Sequence, residues 1–113
     1  MTPVEECDVV IVGGGPAGTA AALWCAHREL RVILLERERF PRHRPGETLP
    51  PAAEVLFDQL GVGTAIARTD FHRHTGTWVE WNGARRFDGF GVDDAGPWLG
   101  FQAPREKLDQ MLL

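Results

Sequence analysis

The sequence lacks several features that would assign it to a broad class at once. No apolar run in the 113 residues approaches the ~20 needed to cross a bilayer, so the sequence predicts no membrane span. Positive charge is not in excess: the formal net charge is −4, which argues against nucleic acid as a partner. The start, MTPVEECD, has no succession of basic, apolar and cleavage-site segments, so no secretory signal is read there. Cysteine is scarce. Cys7 and Cys25 are not spaced as a metal or redox pair, and together with the start they give a cytoplasmic expectation. Repeats and low-complexity tracts are also missing. Of the four histidines, His72 and His74 would share one side of a strand, but no third ligand joins them. Metal is therefore not expected, and solvated side chains are.

What is present centres on residues 8–36, DVVIVGGGPAGTAAALWCAHRELRVILLE. The β-branched run Val9–Val12 suits a buried parallel strand. Gly13, Gly15 and Gly18 follow as G-x-G-x-x-G, serving in turn the sharp exit from the strand, the approach of backbone to a pyrophosphate, and close helix packing. Pro16 suits the first helical position, and with Ala17 it opens a helix predicted over 16–29, whose free N–H groups and dipole would face phosphates. A second strand, Val32–Leu35, ends at Glu36, which lies 18 residues past Gly18, near the ~20 typical of a ribose-binding acid. The combination predicts a right-handed βαβ unit that binds a dinucleotide.

Beyond Glu36 the composition changes. Arg37, Arg39, Arg42 and Arg44 fall within eight residues of a proline-rich stretch, 37–51, which predicts an extended chain. This loop either gathers anionic groups or is a solvated loop whose charge is offset by Glu36, Glu38 and Glu47. Because it leaves the strand end that holds the nucleotide, the first reading is favoured. A helix is expected over 51–60 with Gly61 as its stop, and a short one over 63–69. Residues 75–88 form the clearest hairpin. Asn82-Gly83 as a type I′ turn would set Trp81 opposite Ala84, Glu80 opposite Arg85, Val79 opposite Arg86 and Trp78 opposite Phe87. That register predicts an aromatic pair beside a Glu80–Arg85 ion pair. Residues 89–97 read as a loop, 98–102 as a further strand, and 105–113 as a helix. The chain is short for a complete dinucleotide enzyme and ends within a helical pattern, so it is expected to be the N-terminal part of a larger protein, truncated after its Rossmann-like βαβ unit and added hairpin.

The glycine motif, the segment Arg44-Pro45-Gly46-Glu47-Thr48-Leu49-Pro50-Pro51, and Gln102-Ala103-Pro104-Arg105 before a helix together resemble one superfamily. It is that of FAD-dependent oxidoreductases of the aromatic hydroxylase, flavin halogenase and geranylgeranyl reductase type. The resemblance spans nearly the whole chain, and the R-P-G-E segment is its narrowest part. It implies that Gly13, Gly15, Pro16, Ala17 and Gly18 hold the FAD pyrophosphate and that Glu36, with Arg37 beside it, meets the adenosine ribose. It further implies that Arg44, Gly46 and Glu47 run along the cofactor and that Arg105 approaches its phosphates or adenosine. NAD(P)H is the candidate electron donor, and the substrate is a small molecule or a partner protein. Tryptophan-type halogenases use a lysine downstream of the Gly-Glu segment. This chain has Lys107 alone, with Arg68, His72, Arg73 and His74 in the corresponding region, which disfavours halogenation.

The leading expectation is thus a monooxygenase-like, FAD-dependent oxidoreductase, with catalytic residues beyond this stretch. An NAD-binding dehydrogenase and a non-catalytic nucleotide-binding module are the alternatives.

Overall fold

A computed structural model describes residues 4–113. In chain order the elements are β1 (Val9–Val12), α1 (Pro16–Ala26), β2 (Val32–Leu35) and β3 (Glu47–Leu49), then α2 (Ala53–Gln59), α3 (Gly63–Ala67) and β4 (His72–His74). There follow β5 (Gly76–Trp81), β6 (Ala84–Gly89), β7 (Val92–Asp93), β8 (Gly96–Pro97), β9 (Gly100–Ala103) and α4 (Arg105–Leu112). They divide into two compact units, one running up to Arg44 and including Glu106–Leu113, the other spanning Pro45–Arg105.

The first unit is the βαβ motif. β1 and β2 pair in parallel, Val9 with Val32 through Val12 with Leu35, and the Gly13 N–H continues the ladder to the Leu35 carbonyl at 2.7 Å. At the other end Asp8 accepts from the Arg31 N–H at 2.7 Å, which holds its carboxyl below the ordinary range. α1 ends earlier than the apolar pattern predicts. Glu29 takes φ +60°, and the Leu30 N–H bonds back to the Cys25 carbonyl, a turn closure that stops the helix three residues before the predicted 29. Helix and turn need a glycine at 18, because a Cβ there would run into the Gly13 carbonyl oxygen. In α4, Leu108 and Leu112 are buried, and so is Asp109.

The second unit holds a sheet that the sequence reading did not anticipate. β9 is its centre, antiparallel to β3 on one side and β4 on the other. β3 lies inside the proline-rich stretch. Its extended character is legible, but its partner lies 54 residues away, Thr48 opposite Gln102. The core gathers on β9, where Phe101 meets Phe57 edge-on at 5.9 Å, with Leu60, Ile66 and Phe71 also buried. α2 closes at Gly61 with the paired bonds of a Schellman motif, Gly61 N–H to Asp58 and Val62 N–H to Phe57.

The β5–β6 hairpin has the predicted register at all four pairs. Asn82 and Gly83 have φ of +52° and +78°, as the type I′ turn requires. Trp78 and Phe87 pack with centroids 5.2 Å apart. The expected Glu80–Arg85 ion pair gives way to a different arrangement. Arg85 lies over the Trp78 ring, 4.6 Å from its centroid, while Arg86 pairs with Asp88 at 2.8 Å. A guanidinium loses little hydration over an aromatic face, so stacking competes well with an exposed ion pair. The predicted loop after the hairpin contains the short pair β7–β8, pinned by the Trp98 indole donating to Asp93 at 3.0 Å.

His74 departs from the expectation of a solvated side chain. Its ring nitrogens are buried without a hydrogen-bond partner among the described residues, and the ring meets Phe90 at 5.4 Å. Among the described residues, no helix is long and apolar enough to cross a membrane, and no three metal-ligating side chains cluster.

Candidate functional site

Where β1 ends and α1 begins, the first unit has an open cleft of about 330 Å³. Val12, Gly13, Gly15, Leu35, Glu36, Arg37, Arg42 and Arg44 line it. The N-terminus of α1 carries no side-chain cap and no acidic residue in its first turn, with Pro16 in its first turn. Unpaired N–H groups and a positive dipole end are thus offered to whatever fills the cleft, and an anion is what they favour.

Glu36 is held from several directions. Its Oε2 accepts from the Gly14 N–H at 2.7 Å and its Oε1 from the Glu38 N–H at 2.9 Å. The Gly14 bond first, then the Glu38 bond, keep the carboxyl below its ordinary value near 4.5 against the opposing effect of burial, and the Arg42 charge adds to them. Oε2 also faces Arg42 Nη1 at 3.1 Å. A carboxylate has about four acceptor positions. Oε1 therefore keeps capacity for a hydroxyl donor such as a ribose.

The arginine loop is less available to anions than its composition suggests. Arg42 meets Glu36, Glu38 and Asp109, and Arg44 pairs with Glu38. Intramolecular charge offset therefore occurs here, but Asp109 takes part where Glu47 was expected. Glu47 instead accepts from Arg105 at 2.9 Å, in the second unit, where antiparallel pairing sets Glu47 opposite Ala103. Gly46 is in that unit too, and a Cβ on it would press on the Ala103 carbonyl at 3.3 Å, so strand packing accounts for that glycine.

Of the residues singled out from sequence, Gly13, Gly15, Glu36, Arg37 and Arg44 line one cleft. Pro16, Ala17 and Gly18 form the first turn of α1. Gly46, Glu47 and Arg105 belong to the second unit, where Arg105 donates to Glu47. Arg42, Glu38 and Asp109 were not singled out as site residues. Asp109 had a visible signal: it lies between Leu108 and Leu112 on the apolar side of a predicted helix, an unfavourable place for a carboxylate without a partner.

The tryptophan halogenase family model matches residues 8–100. A menaquinone reductase of Mycobacterium tuberculosis is 38% identical over 105 residues, covering 92% of this chain and 23% of that protein. A tryptophan 2-halogenase of Chondromyces crocatus is 34% identical over 117 residues, covering 96% and 20%. Among solved structures, the myxobacterial chondrochloren halogenase, described as a variant of FAD-dependent halogenases, superposes with a TM-score of 0.87 at 36% identity over 97% of this chain and 26% of that one. The chain thus spans about a fifth to a quarter of the length of these relatives. With the mixed α/β fold of a Rossmann-like FAD-binding module, and with the family matched over residues 8–100, the chain belongs to the tryptophan halogenase family within the FAD-dependent halogenase and monooxygenase superfamily.

Proposed function

We propose that this chain supplies the ADP-binding part of the FAD site in an FAD-dependent oxidoreductase. The observation that carries the reading is the uncapped N-terminus of α1 beside a cleft that ends at Glu36. The residues fit the cofactor. Gly15, Ala17 and Gly18 would bring backbone N–H groups to the pyrophosphate, Gly13, its own N–H bonded to Leu35, would supply the turn that lets the phosphates approach, and Glu36 Oε1 would accept from an adenosine ribose hydroxyl. A carboxylate at that position opposes a 2′-phosphate, which disfavours NADP in the same cleft. Arg37, at the rim, would add positive charge toward the phosphates, and Arg44, its charge offset by Glu38, would add less. For Gly46, Glu47 and Arg105 the proposed role is weaker, because their packing and the Arg105–Glu47 ion pair already account for them.

When bound, FAD supplies the redox chemistry, and the protein contributes binding, orientation and electrostatics. A monooxygenase-type reaction on a small molecule or a partner protein, with NAD(P)H as donor, is the first reading. Halogenation is the second, and the family match over residues 8–100 favours it. That match runs against the disfavour based on the missing lysine, so halogenation stands as a full alternative.

The test of the cofactor is FAD uptake by the purified full-length protein. Visible flavin absorbance retained through gel filtration is expected, and its absence with added FAD sinks the proposal. Glu36→Ala should weaken FAD binding more than Arg39→Ala does, since Arg39 does not line the cleft. Turnover with oxygen and reduced flavin, with and without chloride or bromide, separates the reactions. Halide-dependent product mass identifies halogenation, and a hydroxylated product without halide identifies monooxygenation.

A further inference from the structure

Arg42 faces three carboxylates while only 11% of its side chain is exposed. Nη1 lies 3.1 Å from Glu36 Oε2 and 3.0 Å from Glu38 Oε2, and Nε donates to Asp109 Oδ2 at 3.4 Å. The guanidinium also covers the Phe40 ring at 4.8 Å. Asp109 is fully buried, between Leu108 and Leu112 of α4, where an aliphatic residue would serve helix packing better. A carboxylate there needs an account, and the geometry offers one. Two anions draw one nitrogen of the Arg42 fork while the third draws Nε, which fixes the guanidinium in plane and in rotation. A lysine, with one nitrogen on a flexible stem, could not satisfy both directions.

We propose that Asp109 is a positioning residue for the candidate ribose acid: it anchors Arg42, and Arg42 holds Glu36 so that Oε1 faces the cleft. Asp109 acts through Arg42 and does not touch the cofactor. Without the anchor, Arg42 would swing toward Glu38, and Glu36 would lose its side-chain partner while keeping its two backbone donors. The inference rests on the FAD reading above and deepens it, because it ties the specificity of the adenosine end to a residue on the last helix.

The test is titration of FAD, and separately of ADP, into the full-length protein with four sequences: unchanged, Asp109→Asn, Glu36→Gln, and both together. Asp109→Asn is expected to weaken both ligands about tenfold, the lower end for loss of a supporting group behind a binding side chain. In the Glu36→Gln background it should change affinity by less than about twofold, because the residue it acts through is already altered. An equal loss in both backgrounds overturns the proposal, since a general loosening of the fold would be additive. Unchanged affinity for Asp109→Asn also overturns it, and so does a loss for FAD that spares ADP. If Asp109→Asn does not fold, Arg42→Lys takes its place in the same cycle: equal losses in the two backgrounds, or unchanged affinity, again reject the proposal. Failure of the unchanged protein to bind FAD rejects the FAD reading itself, whereas binding with additive losses rejects only the role of Asp109.

Discussion

The arginine loop, residues 37–44, and the β5–β6 hairpin each set an arginine over an aromatic ring, Arg42 over Phe40 and Arg85 over Trp78, yet they resolve their charges differently. In the hairpin every partner is near in sequence: Trp78 meets Phe87, Arg85 covers Trp78, and Arg86 pairs with Asp88 two residues on. In the loop the decisive partner is remote, since Arg42 reaches Asp109 across 67 residues and meets Glu36 at the end of β2. The hairpin pairs are exposed, with Trp78 61% accessible, so each contributes little. The pairs of Arg42 with Glu36 and Asp109 are shielded, so removing one member leaves the others unbalanced. Charge density is thus a poor guide to importance, and the range and burial of the partner a better one.

That contrast can be broken at several points. The largest effect is expected for Arg42→Gln, which leaves Glu36, Glu38 and buried Asp109 without their shared cation. A drop in melting temperature of about 10 °C, with loss of FAD binding, is expected in thermal melts of the full-length protein. A shift no larger than that of Arg86→Gln would erase the distinction between the two regions. Gly18→Ala comes next, at about 1–3 kcal/mol in denaturant unfolding, since the added methyl meets the Gly13 carbonyl and either the turn or the helix must move. In the hairpin, Gly83→Ala should cost about 1 kcal/mol, because an L side chain at φ +78° is strained although nothing lies near the added methyl. The smallest effect, within about 0.5 kcal/mol, belongs to Glu80→Gln, since Arg85 stacks on Trp78 instead of pairing with it. A larger loss there would restore the ion pair expected from register.

Acid provides a further comparison. The Glu36 pKa is lowered in the fold, first by the Gly14 N–H bond and then by that of Glu38. The stability it contributes is therefore complete above the ordinary value near 4.5 and is lost as pH falls through the depressed folded value. Denaturant unfolding of the unchanged protein and of Glu36→Gln should differ by a constant amount from pH 7 down to about 5, and the gap should close below it. A gap that widened on acidification would reverse the sign and reject this account of Glu36.

Much of the molecule was legible because its information is local. The strand–glycine–helix–strand succession, the acid at 36, the Asn82-Gly83 turn and its four-pair register all depend on neighbours within one supersecondary unit. The β3–β9–β4 sheet of the second unit was not legible. β3 and β4 are three residues each, too short for a period to show, and they exist as strands because β9 pairs with both. The burial of the His74 ring is not legible for the same reason: it follows from pairing opposite Gly100, where a side chain would meet the imidazole. The R-P-G-E segment shows the converse. Its residues read as a cofactor loop by resemblance, and the fold adds that Gly46 packs closely on the Ala103 carbonyl and that Glu47 pairs with Arg105.

By itself the sequence determined the βαβ unit, the anion-favouring start of α1 and the acid at the end of β2, because backbone sterics and hydrogen-bond periodicity act over a few residues. Only the tertiary structure decided which arginines remain at the cleft and which are already committed. The Arg42 guanidinium takes its direction from a buried carboxylate on the last helix, and no spacing rule reaches that far along the chain.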